Sequence, residues 1–180
     1  MFAIAVRYGA ISGAIVIAVI ILGIVLSAGQ GHGHAFSSQW LGYLVMIVAL
    51  SMIFLAIRDY RNKHLGGVIK FLPAFGLGLL VAAIAGVAYV IGWEIYLAAT
   101  DYTFMENYVA QMIEAKRAAG VTGAELASYT AQLNEMKTAY ANPLFRLPMT
   151  FAEIFPVGLL IALISAAILR NPRVLPARAQ

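Results

Sequence analysis

The chain has 180 residues, 62% of them hydrophobic and only 11% charged, with a formal net charge of +4 and no cysteine. That balance excludes an ordinary soluble domain, and the absence of cysteine excludes disulfides and thiolate chemistry. The surplus of Lys and Arg calls for no nucleic acid, because the basic residues fall where membrane insertion puts them. The fold class implied is an all-α integral membrane protein: a single four-helix membrane domain over 1–180, with an extracytoplasmic amphipathic helical hairpin at 98–142 inserted between the third and fourth spans.

The first apolar run is Tyr8 to Ser27, and no Asp, Glu, Lys or Arg occurs from Tyr8 to Ile57. Roughly 20 apolar residues suffice for a helix to cross a bilayer. Ser27 and Gly29 are small enough for a secretory cleavage site, but a signal's apolar core runs roughly 7 to 15 residues, so this run reads as an uncleaved anchor. The loop that follows, Ala28 to Gln39, carries Gly31-His-Gly-His34. His32 and His34 could ligate a divalent metal together with a glutamate. Glycine neighbours give little preorganisation, however, and a solvated loop is the plainer reading.

The second span, Trp40 to Ile57, ends in Arg58, Arg61, Lys63 and His64. Arg58, Arg61 and Lys63 read as a lipid-headgroup cluster, worth about 1 kcal/mol per charge near an anionic surface. Gly66-Gly67 is a turn, and the third span runs from Phe71 to Tyr96. These runs are continuously apolar, whereas barrel strands alternate, so a barrel is excluded.

From Ala98 to Asn142 the pattern changes to two amphipathic stripes, Met105, Tyr108, Met112, Ala115 and Ala119, then Leu126, Tyr129, Leu133, Met136 and Tyr140. Steps of three and four predict a helix for each. Gly120 ends the first, and Thr122 with Glu125 has the spacing of a capping box. Nothing breaks the helical pattern between Trp93 and Ala119, so the third span is expected to be able to run on into the loop. Asn142-Pro143 stops the second hairpin helix, and Pro148 suits the first turn of a last span reaching Leu169.

Eight of the twelve Lys and Arg residues fall in the N-terminal segment, the second loop and the tail, whereas the first loop carries none. By the positive-inside rule both termini are cytoplasmic, and the protein is a multi-pass protein of the cell inner membrane. Small residues recur at four-residue spacing in Gly9/Gly13, in Gly78/Ala82/Gly86 and in Gly158/Ala162/Ala166. Such stripes let helices approach closely in lipid, within one bundle or between copies.

Two carboxylates interrupt the apolar runs, Glu94 in the third span and Glu153 in the fourth. Ionisable groups at membrane depth are paired, hydrated or functional. At 1.5 Å per residue, Glu94 lies roughly 35 Å above Phe71 and Glu153 roughly 24 Å above Leu169, so contact between them is not assured. Were they to meet, they would share a proton and form an ion or proton site. Arg146 within reach would instead make a structural ion pair.

Five stretches taken together resemble a bacterial membrane-protein family catalogued as domain of unknown function 4199. They are Leu41-Gly-Tyr-Leu-Val-Met-Ile-Val-Ala-Leu50; Arg58-Asp-Tyr-Arg61 with Gly66-Gly67; Gly92-Trp-Glu-Ile-Tyr96; Asn142-Pro-Leu-Phe-Arg146; and Glu153-Ile-Phe-Pro-Val-Gly158. The resemblance implies a four-helix envelope protein and supplies no catalytic residue. No phosphate-binding Gly-x-x-x-x-Gly-Lys-Ser/Thr, His-Glu-x-x-His or Gly-x-Ser-x-Gly occurs in the chain, so the enzyme question stays open and leans to a non-enzyme. No cofactor is expected. The reading is a binding or assembly factor acting through its outer hairpin and bundle, with membrane lipids and an envelope protein or a second copy as partners. The alternative is a proton- or cation-coupled carrier or channel-like oligomer using Glu94 or Glu153. A lipid-modifying enzyme would need a nucleophile or metal near Glu153, for which only His32 and His34 offer themselves.

Overall fold

A computed structural model describes residues 1–29 and 39–176 of the chain. Among these residues all regular structure is helical: α1 (Phe2–Gly29), α2 (Gln39–Leu50), α3 (Met52–His64), α4 (Phe71–Ala99), α5 (Phe104–Ala118), α6 (Gly123–Ala141) and α7 (Pro143–Leu169). Four stretches are long and apolar enough to cross a membrane: Phe2–Val19, Tyr43–His64, Phe71–Ala99 and Pro143–Leu169. The protein is a helical membrane protein, as its composition requires.

The second of these stretches joins α2 to α3 through Ser51. The Ser51 hydroxyl donates to the carbonyl of Val48 at 2.6 Å, a back-bond that loosens a helix locally. The chain still propagates, because Ser51 N–H reaches Ile47 O and Phe54 N–H reaches Ser51 O, both at 3.0 Å.

Two expectations need correction. The third span does not run into the loop: α4 stops at Ala99, and Asp101 and Tyr102 adopt left-handed φ values of 49° and 55°. Tyr102 N–H bonds Leu97 O at 2.8 Å and Asp101 N–H bonds Ala98 O at 3.3 Å, the paired bonds of a Schellman stop. No glycine announces it, which is why the helical pattern gave no warning. Nor does the last helix start near Pro148. Pro143 opens α7, and the Asn142 side-chain oxygen accepts the Leu144 N–H at 3.0 Å, so Asn142 caps the helix and Pro143 takes the first position, where its missing N–H costs nothing.

The chain divides into two compact units, Met1–Gly92 with Phe151–Gln180, and Trp93–Thr150. In the first, the small residues serve helix contacts within the bundle. A Cβ on Gly9 would meet Ile84 at 2.7 Å, one on Gly13 would meet Ala88 at 2.5 Å, and one on Gly78 would meet Ala162 at 2.8 Å. α1 and α7 therefore both lie against α4 at backbone range. Ser12 donates to Ala49 O at 2.9 Å, a buried bond between α1 and α2. The core around them holds Val16, Ile53, Ile57, Leu77, Val81 and Ile154.

In the second unit α5 and α6 pack on each other, with Gly120 at φ +85° in the turn between them. The α6 stripe is as expected: Leu133 and Tyr140 are buried, Leu126, Tyr129 and Met136 half-buried, and Glu125 and Glu135 exposed. Lys137 is half-buried because it reaches across to Glu106 at 3.2 Å. On α5 the buried face is rotated from the expected one. Met105 and Val109 are buried while Tyr108, Ala115 and Ala119 are exposed, and further along the same rotated face the Lys116 ammonium lies 5.2 Å from the Tyr129 ring. Thr122 stands at the N-cap of α6 in extended geometry, but its side chain makes no capping hydrogen bond, so the capping box is not formed.

Candidate functional site

Glu94 sits near the end of α4 and Arg146 in the first turn of α7, 52 residues apart in sequence. Arg146 Nε donates to Glu94 Oε1 at 2.6 Å and its Nη2 to Oε2 at 2.8 Å. The match is a two-pronged guanidinium–carboxylate pair, the strongest geometry for such charges. The third nitrogen is used as well, Nη1 donating to Tyr140 O at 3.0 Å and more weakly to Ala141 O at 3.4 Å. These are carbonyls that the end of α6 leaves without helical partners. The side chain of Arg146 is 4% exposed and that of Glu94 25%.

Aromatic rings enclose the pair. The Arg146 guanidinium lies 5.1 Å from the Tyr102 ring and 5.7 Å from that of Tyr140, within cation–π range. Tyr140 Oη accepts from Trp93 Nε1 at 2.8 Å. Trp93 in turn meets Phe104 edge to face at 5.0 Å and Tyr96 at 5.2 Å. The ring of the left-handed Tyr102 thus lies against the same arginine that ties α4 to the α6–α7 corner. Trp and Tyr grouped at the end of an apolar span are characteristic of a membrane–water interface.

Glu153 has a different partner. It lies on α7 with Tyr89 of α4 donating its hydroxyl to Oε2 at 3.2 Å, and its residue is exposed at the surface of the chain. It is the only ionisable side chain between Arg146 and Arg170. A carboxylate left in hydrocarbon costs about 3 kcal/mol by insertion scales, so an exposed one within a span calls for a partner that one tyrosine hydroxyl does not fully supply.

The basic cluster at the end of α3 is divided in its roles. Lys63 is exposed and pairs with Asp59 at 2.8 Å, while Arg58 is half-buried. Arg61 departs from the expected lipid-headgroup position. It is fully buried, with Nη1 donating to Val174 O at 2.9 Å and Leu169 O at 3.3 Å, Nη2 to Leu175 O, and Nε to Asn62 Oδ1 at 2.9 Å. Its donors go to the carbonyls after α7, since the end of a helix offers unpaired acceptors to a cation.

His32 and His34 lie outside the described residues, and with them the suggested metal pair. Among the described residues no three His, Asp or Glu side chains converge as metal ligands. The depression along α6, lined by Ala131, Asn134, Glu135, Thr138 and Ala139, is open and gathers no set of catalytic groups. Sequence reasoning paired Arg146 with the carboxylates through proximity and charge. It missed Tyr89, Tyr102 and Tyr140, whose polar tips nothing in an apolar run singles out, and it missed the inward turn of Arg61.

Comparison with known proteins gives one family. Residues 7–171 match the family described as Protein of unknown function (DUF4199), a match that spans all five stretches carrying the resemblance. No curated protein and no solved structure matches the chain.

Proposed function

The chain belongs to the DUF4199 family, and from that premise we propose that it is a non-enzymatic binding or assembly factor of the cell inner membrane. Both termini would lie in the cytoplasm, and the α5–α6 hairpin outside would engage another envelope component. One observation carries this reading: the Arg146–Glu94 pair closes the base of the hairpin with every guanidinium nitrogen bonded. A helical pair clamped in this way is a preformed surface, and preformed surfaces bind without an ordering cost. The orientation rests on the distribution of Lys and Arg, and the aromatic group around Trp93 fits an interface at that end.

The carrier alternative would rest on Glu153, because both oxygens of Glu94 are committed to Arg146. It is the weaker reading, since transport needs a polar route and, among the described residues, Ser12 and Ser165 are the buried polar side chains that the spans of the first unit contribute beside Arg61.

Photo-crosslinking in native membranes tests the binding reading. A photoreactive amino acid at Ser128 or Gln132 should yield one defined protein adduct. The same group at Leu65 should not, and the adduct should disappear in Arg146→Ala. Adducts to lipid alone from the hairpin positions, or full complementation by a chain lacking the hairpin, would refute it.

A further inference from the structure

We infer that the α7 face bearing Glu153 is a docking surface for the transmembrane helix of another protein, one that carries a single Lys or Arg in the outer part of its apolar run. The face is a continuous stripe of exposed residues, Glu153, Pro156, Leu160, Ile164 and Ala167, spaced at three and four as a helix–helix seam requires. Leu160 and Ile164 are 58% and 56% exposed. Lipid would suit every member of the stripe but one. A carboxylate accepts through about four lone-pair positions, and Tyr89 Oη fills one of them on Glu153. The occupant that suits every member of the stripe is apolar along its length and cationic at one point, which describes a transmembrane helix with one basic side chain.

A second copy of the chain is a poor source of that cation. Of the Lys and Arg residues from α5 to the first turn of α7, Arg146 has both prongs on Glu94, Arg117 pairs with Glu114, Lys137 pairs with Glu106 and Lys116 lies over the Tyr129 ring, and the other described ones stand near the opposite ends of the spans in sequence. A two-fold contact through the stripe would set Glu153 against Glu153, which like charges oppose unless the two share a proton, and it would still bring no cation to the site. The surface differs from the hairpin, so a hairpin that captured no partner would leave this inference standing.

The test uses the full-length protein in phosphatidylcholine vesicles with a synthetic Leu/Ala transmembrane peptide as probe, carrying one Lys in its outer third, and energy transfer as readout. The Lys peptide should associate about tenfold more tightly than its all-Leu counterpart, the size of one interhelical polar contact in a bilayer. Glu153→Gln should erase the difference, and Glu153→Lys should prefer a peptide with Glu in place of Lys. Moving the Lys to the inner third should reduce association to the all-Leu level, a control that holds even if a Glu153 variant folds poorly. Equal association of both peptides would overturn the inference. So would loss of selectivity in phosphatidylethanolamine, which would assign the site to a lipid ammonium, or self-association that depends on Glu153 without peptide preference.

Discussion

Removing Arg146 perturbs three kinds of contact at once, and their sizes can be set against one another. Arg146→Ala deletes two charge-assisted bonds to Glu94, the bond to Tyr140 O and two cation–π contacts. It also leaves the Glu94 carboxylate without its cation. Breaking a fully buried pair costs roughly 3–5 kcal/mol. Glu94 keeps 25% of its side chain in contact with solvent, which lowers that figure, so about 3 kcal/mol is expected. Glu94→Gln retains the charge of Arg146 on the α6 carbonyls and should cost about half as much. Because the two side chains act as one unit, the double variant should be less destabilised than the sum of the singles, with a coupling of about 1–2 kcal/mol. Hydrogen exchange of the α5 and α6 amides in bicelles reads this directly as the free energy of opening the hairpin. Singles that each cost under about 0.5 kcal/mol, or strict additivity, would show that the pair does not hold the hairpin.

Other outcomes follow from particular contacts. Gly13→Ala should lower thermal stability by about 1–3 kcal/mol, since its Cβ would meet Ala88 at 2.5 Å and Ala85 O at 2.9 Å, whereas Gly76→Ala, with nothing within 4 Å, should be neutral. Asn142→Ala should cost about 1 kcal/mol in melting experiments through loss of the α7 cap, and Thr122→Ala almost nothing, because its side chain caps no N–H. Arg61→Lys should speed tryptic cleavage after Arg173, because the single nitrogen of a lysine cannot replace Nη1 on Leu169 O and Val174 O and at the same time Nη2 on Leu175 O. For the proposed orientation, a cysteine at Ser128 should react with an impermeant thiol reagent on intact cells and one at Asn62 should not; the reverse pattern would invert the threading.

The spans were legible because lipid imposes one rule on long segments, and the four apolar runs obey it with few interruptions. Ends were less so. Asp101 and Tyr102 stop α4 in a conformation that most sequences reserve for glycine, and the Arg146 guanidinium that lies against the Tyr102 ring comes 44 residues further on, which no local pattern can reveal. Asn142 and Pro143 carried a legible signal that was only half read: the pair that ends α6 also begins α7. In the site, the charge of Arg146 marked it as a partner for the two glutamates, but its nearness in sequence favoured Glu153, and only the fold brings it to Glu94, 52 residues away. The Tyr89 contact to Glu153 depends on how α4 and α7 face each other, which small-residue stripes allow but do not specify.

Arg61 makes its bonds to a part of the chain synthesised long after it, Leu169 lying 108 residues downstream. At roughly 5–20 residues per second that delay is on the order of ten seconds. Throughout it the two terminal nitrogens of the guanidinium lack the carbonyls of Leu169, Val174 and Leu175 that receive them in the finished fold. The clamp around residues 169–175 can therefore close only after the last span is in place, which makes it a final step in assembly. A ribosome stalled between α6 and the end of α7 would leave a nascent chain marked by one unsatisfied arginine, a difference between finished and unfinished protein that a quality-control protease could read.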